Sequence, residues 1–147
     1  MDKKWESIVV DMIKDHDHLT LATIREDGYP QANTVSYASD GLTIYFVTEP
    51  DCSKIKNIQR SNKVSLSIDK DYKDWSKIKG LSMAATAEIL ANPDEIKKAI
   101  DCIVKKYPLL GEMMEPGRQV ALVKITPKII SVLNYEIEFG HTDLVEV

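Results

Sequence analysis

Near the start of the chain, apolar residues recur at helical spacing. Trp5, Ile8, Val9, Met12 and Ile13 alternate with charged residues and predict an amphipathic helix over residues 3–15. From Leu19 the period shortens to two. "HLTLATIRE" and "YPQANTVSYA" flank Asp27-Gly28, a strong hairpin signal, and Ser39-Asp40-Gly41 turns the chain into "LTIYFVT", so a three-stranded meander is expected. "NKVSLSID" sets Val64, Leu66 and Ile68 against Ser65, Ser67 and Asp69, the alternation of a strand with one buried face. "GLSMAATAEIL" places Leu81, Met83, Ala85, Ala87 and Ile89 on one side of a further strand. Asn92-Pro93-Asp94-Glu95 combines a cap, a proline at the first helical position and first-turn acids, which predicts a helix to about Lys106. "RQVALVKITPKIISVLNY" returns as strand, with a break expected at Pro127.

Six mostly antiparallel strands with one helix in front, a short helix after the third strand and another before the last suit a small, nearly closed barrel. Neither a repeat nor a linker divides the chain, so residues 1–147 are expected to form one domain. Two strands break the one-face rule. In "LTIYFV", Leu42, Ile44 and Phe46 share one side while Tyr45 and Val47 make the other apolar as well, and a second subunit is the simplest cover for it. The second strand is polar on both sides, with Gln31 and Asn33 on one and Thr34 and Ser36 on the other. It reads either as an exposed edge strand or as a source of hydrogen bonds.

The formal net charge of −4 and the scattered lysines give no footprint for nucleic acid. Cys52 and Cys102 stand far apart, without metal-ligand spacing, and read as free thiols in a reducing compartment. Charges run through the first eighteen residues, and no stretch is long and apolar enough for a membrane span, so a cytoplasmic protein is expected. The segment "VTEPDCSKIKNIQ" sets Ser53 and Lys54 where a helix should begin. Taken alone, the pair is a cap beside a solvated lysine. In a cleft it would be an anion site, because a helix start offers unpaired N–H groups and a positive dipole end.

The ordered set of these pieces resembles the FMN-binding split-barrel family related to pyridoxamine 5′-phosphate oxidase. The pieces are a strand ending in Thr48, a turn, Ser53-Lys54 on a short helix with Asn57 near its end, the "KVSLSI" strand, then "AATAEIL", the Asn-Pro-Asp-Glu helix and "VALVKITPKIISV". The likeness runs from Leu19 to Val132 and implies an α+β, six-stranded antiparallel split β-barrel. It also implies a homodimer holding FMN at the subunit interface. By resemblance, Thr48, Ser53 and Lys54 hold the phosphate and ribityl chain, and Thr34, Val35 and Ser36 lie along the isoalloxazine ring. Gly80 stands where the oxidase has a flavin-contacting Gln, which leaves Lys79 as a substitute.

The departures bear on the substrate. The residue before Lys54 is Ser rather than Arg, and the tail "NYEIEFGHTDLVEV" lacks the Arg-x-His that handles the pyridoxal ring. Arg25, Arg60 and Arg118 fall in a hairpin, at a helix end and at a strand start, leaving a single convincing anion site. The expected activity is therefore an FMN-dependent oxidoreductase with a small-molecule electron donor or acceptor, and not pyridoxamine 5′-phosphate oxidation. A non-enzymatic flavin-binding module and a haem-binding split barrel are the alternatives. No catalytic acid or base is assigned and no metal site is expected. His16 and His18 read as C-terminal dipole partners of the first helix, and His141, Trp75 and Tyr72 as surface or interface residues.

Overall fold

A computed structural model describes residues 1–113 and 117–147. Eight strands form one antiparallel sheet: β1 (His18–Ile24), β2 (Pro30–Ser36), β3 (Ala38–Asp40), β4 (Thr43–Thr48), β5 (Lys63–Ile68), β6 (Lys79–Ile89), β7 (Ala121–Asn134) and β8 (Thr142–Glu146). The helices are α1 (Lys3–Lys14), α2 (Ser53–Arg60), α3 (Pro93–Lys106) and α4 (Pro108–Met113). The strand order is β2-β1-β5-β6-β7-β4-β3, with β8 on β7. Although β2 and β3 are the two ends of that order, they follow each other in the chain with only Tyr37 between them. The sheet therefore curls until its ends meet at one residue, which makes a barrel closed at Tyr37 and open below it.

Closure explains why the expected meander does not form. β2 pairs with β1 through the Asp27-Gly28 turn, with Gly28 at φ 88. It never pairs with β4, which takes β3 on one side and β7 on the other. At Tyr37 the chain turns out of one ladder into another. The interior holds Leu19, Leu21, Ile44, Phe46, Leu66, Ile68, Met83, Val123, Ile125 and Ile130, with Val9 and Ile13 of α1 against them. The α1 stripe is thus the buried face that the spacing predicted.

Three expectations need correction. The last strand is not broken at Pro127. β7 runs through it, and the register against β6 slips between Ala84 and Ala85, so that Ile129 and then Pro127 are paired and Lys128 is the extra, bulged residue. A bulge is where a sheet tolerates a residue without an N–H. The second side of β4 is covered by the chain itself, since Tyr45 packs with Ala99 and Ile103 of α3 and with Leu122. The first helix stops at Lys14 with Asp15 as its C-cap, so only His16 serves its end, through Nδ1–H to the Met12 carbonyl at 2.8 Å, while His18 opens β1. Strand β8 and the short α4 were not foreseen. The cap of α3 is as expected: the Asn92 carboxamide oxygen accepts from the N–H groups of Asp94 and Glu95.

Tyr37 is 1% exposed and its hydroxyl donates to the Ile13 carbonyl at 2.5 Å. Its N–H donates to the Asp17 carbonyl at 3.1 Å. Tyr37→Phe should leave a buried carbonyl without its donor and cost about 1–3 kcal/mol. Urea unfolding should show a lower midpoint at unchanged slope. An unchanged midpoint would mean that the hydroxyl contributes nothing to closure.

Candidate functional site

The opening of the barrel is a cleft of about 500 Å³, within the range of ligand sites. Its origin lies in the register. Ala38 faces Tyr45 in the β3–β4 ladder. Continued past Tyr37, that register would set Ser36 opposite Val47 and Val35 opposite Thr48. The two strands part there instead, and Thr34, Val35 and Ser36 form one wall while Phe46, Val47 and Thr48 form the other. Because β2 pairs only with β1, alternate N–H and C=O groups along its free edge are without sheet partners. Lys54 of α2 stands in the lining, and Ile103, Tyr107, Leu109 and Leu110 of α3 and α4 complete it.

Thus five residues expected at the site, Thr34, Val35, Ser36, Thr48 and Lys54, share this cleft. The other two do not. Ser53 lies across the start of α2 in a second, polar cleft with Arg25, Gln31, Lys56, Asn57 and Arg60. Successive helix residues point about 100° apart, so Ser53 and Lys54 face different sides. That cleft also brings arginines where the sequence suggested a single anion site, although Arg25 is paired with Asp27 at 2.8 Å and Arg60 is bonded to Asn57 at 2.8 Å. Lys79 is in neither cleft. It pairs with Glu136 at 3.2 Å and borders two other grooves, one of them lined also by Ser67, Ser82 and Ser131. Tyr72 borders one of those grooves, and Trp75 stacks on Phe139 at 6.2 Å. His141 bonds Asp143 at 2.8 Å in the tail.

Two features support α2 as an anion-binding helix. Asn57, 4% exposed, donates to the Thr23 hydroxyl at 3.0 Å and the Gln31 carboxamide oxygen at 3.1 Å while accepting from Arg60. A buried amide with every partner supplied fixes α2 against the β1–β2 hairpin. It also accounts for part of the polarity of β2: Gln31 is an internal partner, not a ligand donor. Asn33 Oδ1 is buried without a partner. At the other end of α2 the cap is Cys52, which makes no side-chain capping hydrogen bond to the helix start. The N–H groups of Lys54 and Ile55 face its sulfur, which is only a weak acceptor. Lys54 makes no ion pair among the described residues.

The Cys52 thiol reports this field. Burial pushes its pKa up, but the Thr48 hydroxyl at 3.5 Å, the N–H groups of Ile55 and Lys54 and the Lys54 ammonium outweigh burial and hold it below the ordinary thiol value. Cys102 behaves oppositely, since burial and then the Asp40 carboxylate push it up. Tyr107 closes the cleft's inner end. Its hydroxyl lies 3.0 Å from the Asp17 carbonyl and 3.1 Å from that of Tyr37, and burial raises its pKa. No motif in the sequence marks Tyr107 or the short α4, Pro108–Met113, as a second wall.

A mostly antiparallel split barrel with its cleft at the split is the class of protein defined by this arrangement. A model of the pyridoxamine 5′-phosphate oxidase family matches residues 7–131, and the chain belongs to that family. Solved structures with similar folds include a conserved hypothetical protein from Mycobacterium tuberculosis, at 22% identity over 97% of this chain and 91% of that one, TM-score 0.79. A Clostridium acetobutylicum protein related to general stress protein 26, of the pyridoxinephosphate oxidase family, is 19% identical over 100% of this chain and 97% of its own, TM-score 0.72. The haem storage protein HutZ of Vibrio cholerae is 16% identical over 84% and 89%, TM-score 0.71. No match was found among curated protein sequences. None of the helices among the described residues is long and apolar enough to cross a membrane.

The thiol pKa directions give a measurable consequence. Cys52 should form thiolate at lower pH than Cys102, so iodoacetamide near neutral pH should alkylate Cys52 first, with Cys52→Ser removing the fast phase. Faster modification of Cys102 would show that the α2 field does not reach the thiol.

Proposed function

We propose that the protein binds FMN in the barrel split as a homodimer and is a flavin-dependent oxidoreductase with a small-molecule electron donor or acceptor. The observation that carries this reading is the pairing, within one cleft, of an unpartnered lysine at a helix start with the free edge of a strand. Lys54 and the first-turn N–H groups of α2 suit a phosphate dianion. The β2 edge around Val35 suits the heteroatom side of an isoalloxazine ring, and Phe46, Tyr107 and Leu110 keep water from it. FMN, when bound, supplies hydride and single-electron chemistry. A haem reading is the alternative suggested by HutZ. It is less favoured because, among the described residues, the cleft lining holds no His, Cys or Met to ligate iron, and its two tyrosine hydroxyls are bonded to backbone carbonyls.

The dimer rests on a different surface from the one first expected, since α3 covers β4. Directly opposed residues share a face of a sheet. Thr34, Thr20, Ser67, Ser82 and Ser131 form one row across β2, β1, β5, β6 and β7, with Ala32, Ala22, Ser65, Ala84 and Ile129 in the next. Across these five strands the two rows span about 19 Å and hold no charged residue, while Lys63 of β5 and Glu146 of β8 border them. Exposed sheet faces ordinarily carry charges. The row begins at Thr34, inside the cleft, so a second copy seated on this face would also wall the flavin. An FMN-loaded dimer is expected in sedimentation. Ser67→Arg and Ser82→Arg should each give monomer with weakened FMN, and dimers that survive both changes would place the interface elsewhere.

Lys54→Ala should weaken FMN more than riboflavin, which lacks the phosphate, by about 1.5–3 kcal/mol, or roughly 10- to 100-fold. Flavin fluorescence titration measures both. Equal loss for the two ligands would assign Lys54 to folding instead, and turnover with NADH or NADPH would separate enzyme from binding module.

A further inference from the structure

We propose that the cleft accepts, beside the flavin, an uncharged planar apolar ring compound seated against Leu109 and Leu110 of α4, and not an anionic substrate. The inference deepens the flavin reading and rests on it. Among the described residues that line the cleft Lys54 is the one formal charge, and the flavin reading already uses it. Both tyrosines in the lining have their hydroxyls turned into the protein. That of Tyr37 is bonded to the Ile13 carbonyl, and that of Tyr107 to the carbonyls of Asp17 and Tyr37. What they offer a ligand is carbon. Lys106, beside the two tyrosines, donates to the His16 carbonyl at 2.5 Å, lies 3.7 Å from the Asp17 carboxylate, and has its ammonium 4.3 Å from the centre of the Tyr37 ring. It is not in the lining.

On the side away from β2, the wall is Ile103, Leu109 and Leu110, with Val47 beside them. Leu109 is 70% exposed. An isolated exposed leucine needs no explanation, but one that borders an apolar ligand wall gains from covering it. A phosphate or carboxylate brought here would lose its hydration without finding a cation or a free donor on this wall, at a cost that an uncharged ring does not bear.

The test compares two probes of nearly equal shape, 2-naphthol and naphthalene-2-sulfonate, by equilibrium dialysis against protein kept at saturating FMN. 2-Naphthol should bind at least about tenfold more tightly than the sulfonate. Leu109→Asp should weaken 2-naphthol by about tenfold, and Leu109→Met should retain it. Failure of the wild-type protein to load FMN would overturn the flavin reading itself. With FMN loaded, equal binding of the two probes, tighter sulfonate, or an unaffected Leu109→Asp variant would overturn this inference alone.

Discussion

The fold depends on one turn of the chain at Tyr37. A seven-residue strand and a three-residue strand at opposite ends of the sheet are joined there without a loop. Such a junction holds only if the corner is pinned from several sides. The Tyr37 hydroxyl ties it to the end of α1, its N–H to the segment before β1, and its carbonyl to Tyr107 at the end of α3. The Lys106 ammonium over its ring adds a cation–π contact in a half-buried setting, where burial lowers the lysine's pKa. The same corner thus ties the α1–β1 segment, the β2–β3 junction and the end of α3 together, three stretches well separated in sequence.

Closure at a single residue has a geometric consequence that is also the functional one. Above Tyr37 the ladder of β3 and β4 is formed; below it β2 and β4 diverge, and their facing residues become walls instead of partners. The barrel therefore makes its ligand cleft by omitting hydrogen bonds that its own register would allow. Backbone groups left unpaired this way cost free energy unless water or a ligand takes them. An apolar wall limits how well water can do so, and a flat heteroaromatic edge is a suitable replacement.

What could be read from residues alone follows from how local each signal is. The α1 stripe, the Asp27-Gly28 hairpin, the alternation in β5 and β6 and the Asn92 cap are encoded within a few positions, and each is found where expected. The closure is not local. "YPQANTVSYA" looks like one strand because nothing in its alternation marks Tyr37 as a corner. The two-sided β4 likewise suggested a partner chain because pairing of β4 with α3 is a long-range fact. The site divides the same way. Thr34, Val35, Ser36 and Thr48 were placed by resemblance along two strands, and the structure sets them in the two walls of one cleft. Ser53 came with Lys54 from the same resemblance, and the helix turns the two side chains to different clefts. Lys79 came from it as a substitute for a missing Gln, and within this chain it borders other grooves.

The electrostatics of α2 bring these observations to one point. A helix start capped by an ordinary Ser or Asp would satisfy its own N–H groups. Here the cap is Cys52, whose thiol is a weak acceptor, and the hydroxyl of Ser53 sits one position too late to cap. The positive end of the helix is therefore left available, while Asn57 anchors the helix through the buried amide network at its other end. With the helix anchored at one end, its weakly capped start stays open to water or to an anion. Lys54, half-buried and unpaired among the described residues, adds to the same imbalance. The apolar wall across the cleft does the reverse, since it gains nothing from charge. A ligand that is anionic at one end and flat and uncharged at the other would satisfy both, and that complementarity is what the proposed flavin reading rests on.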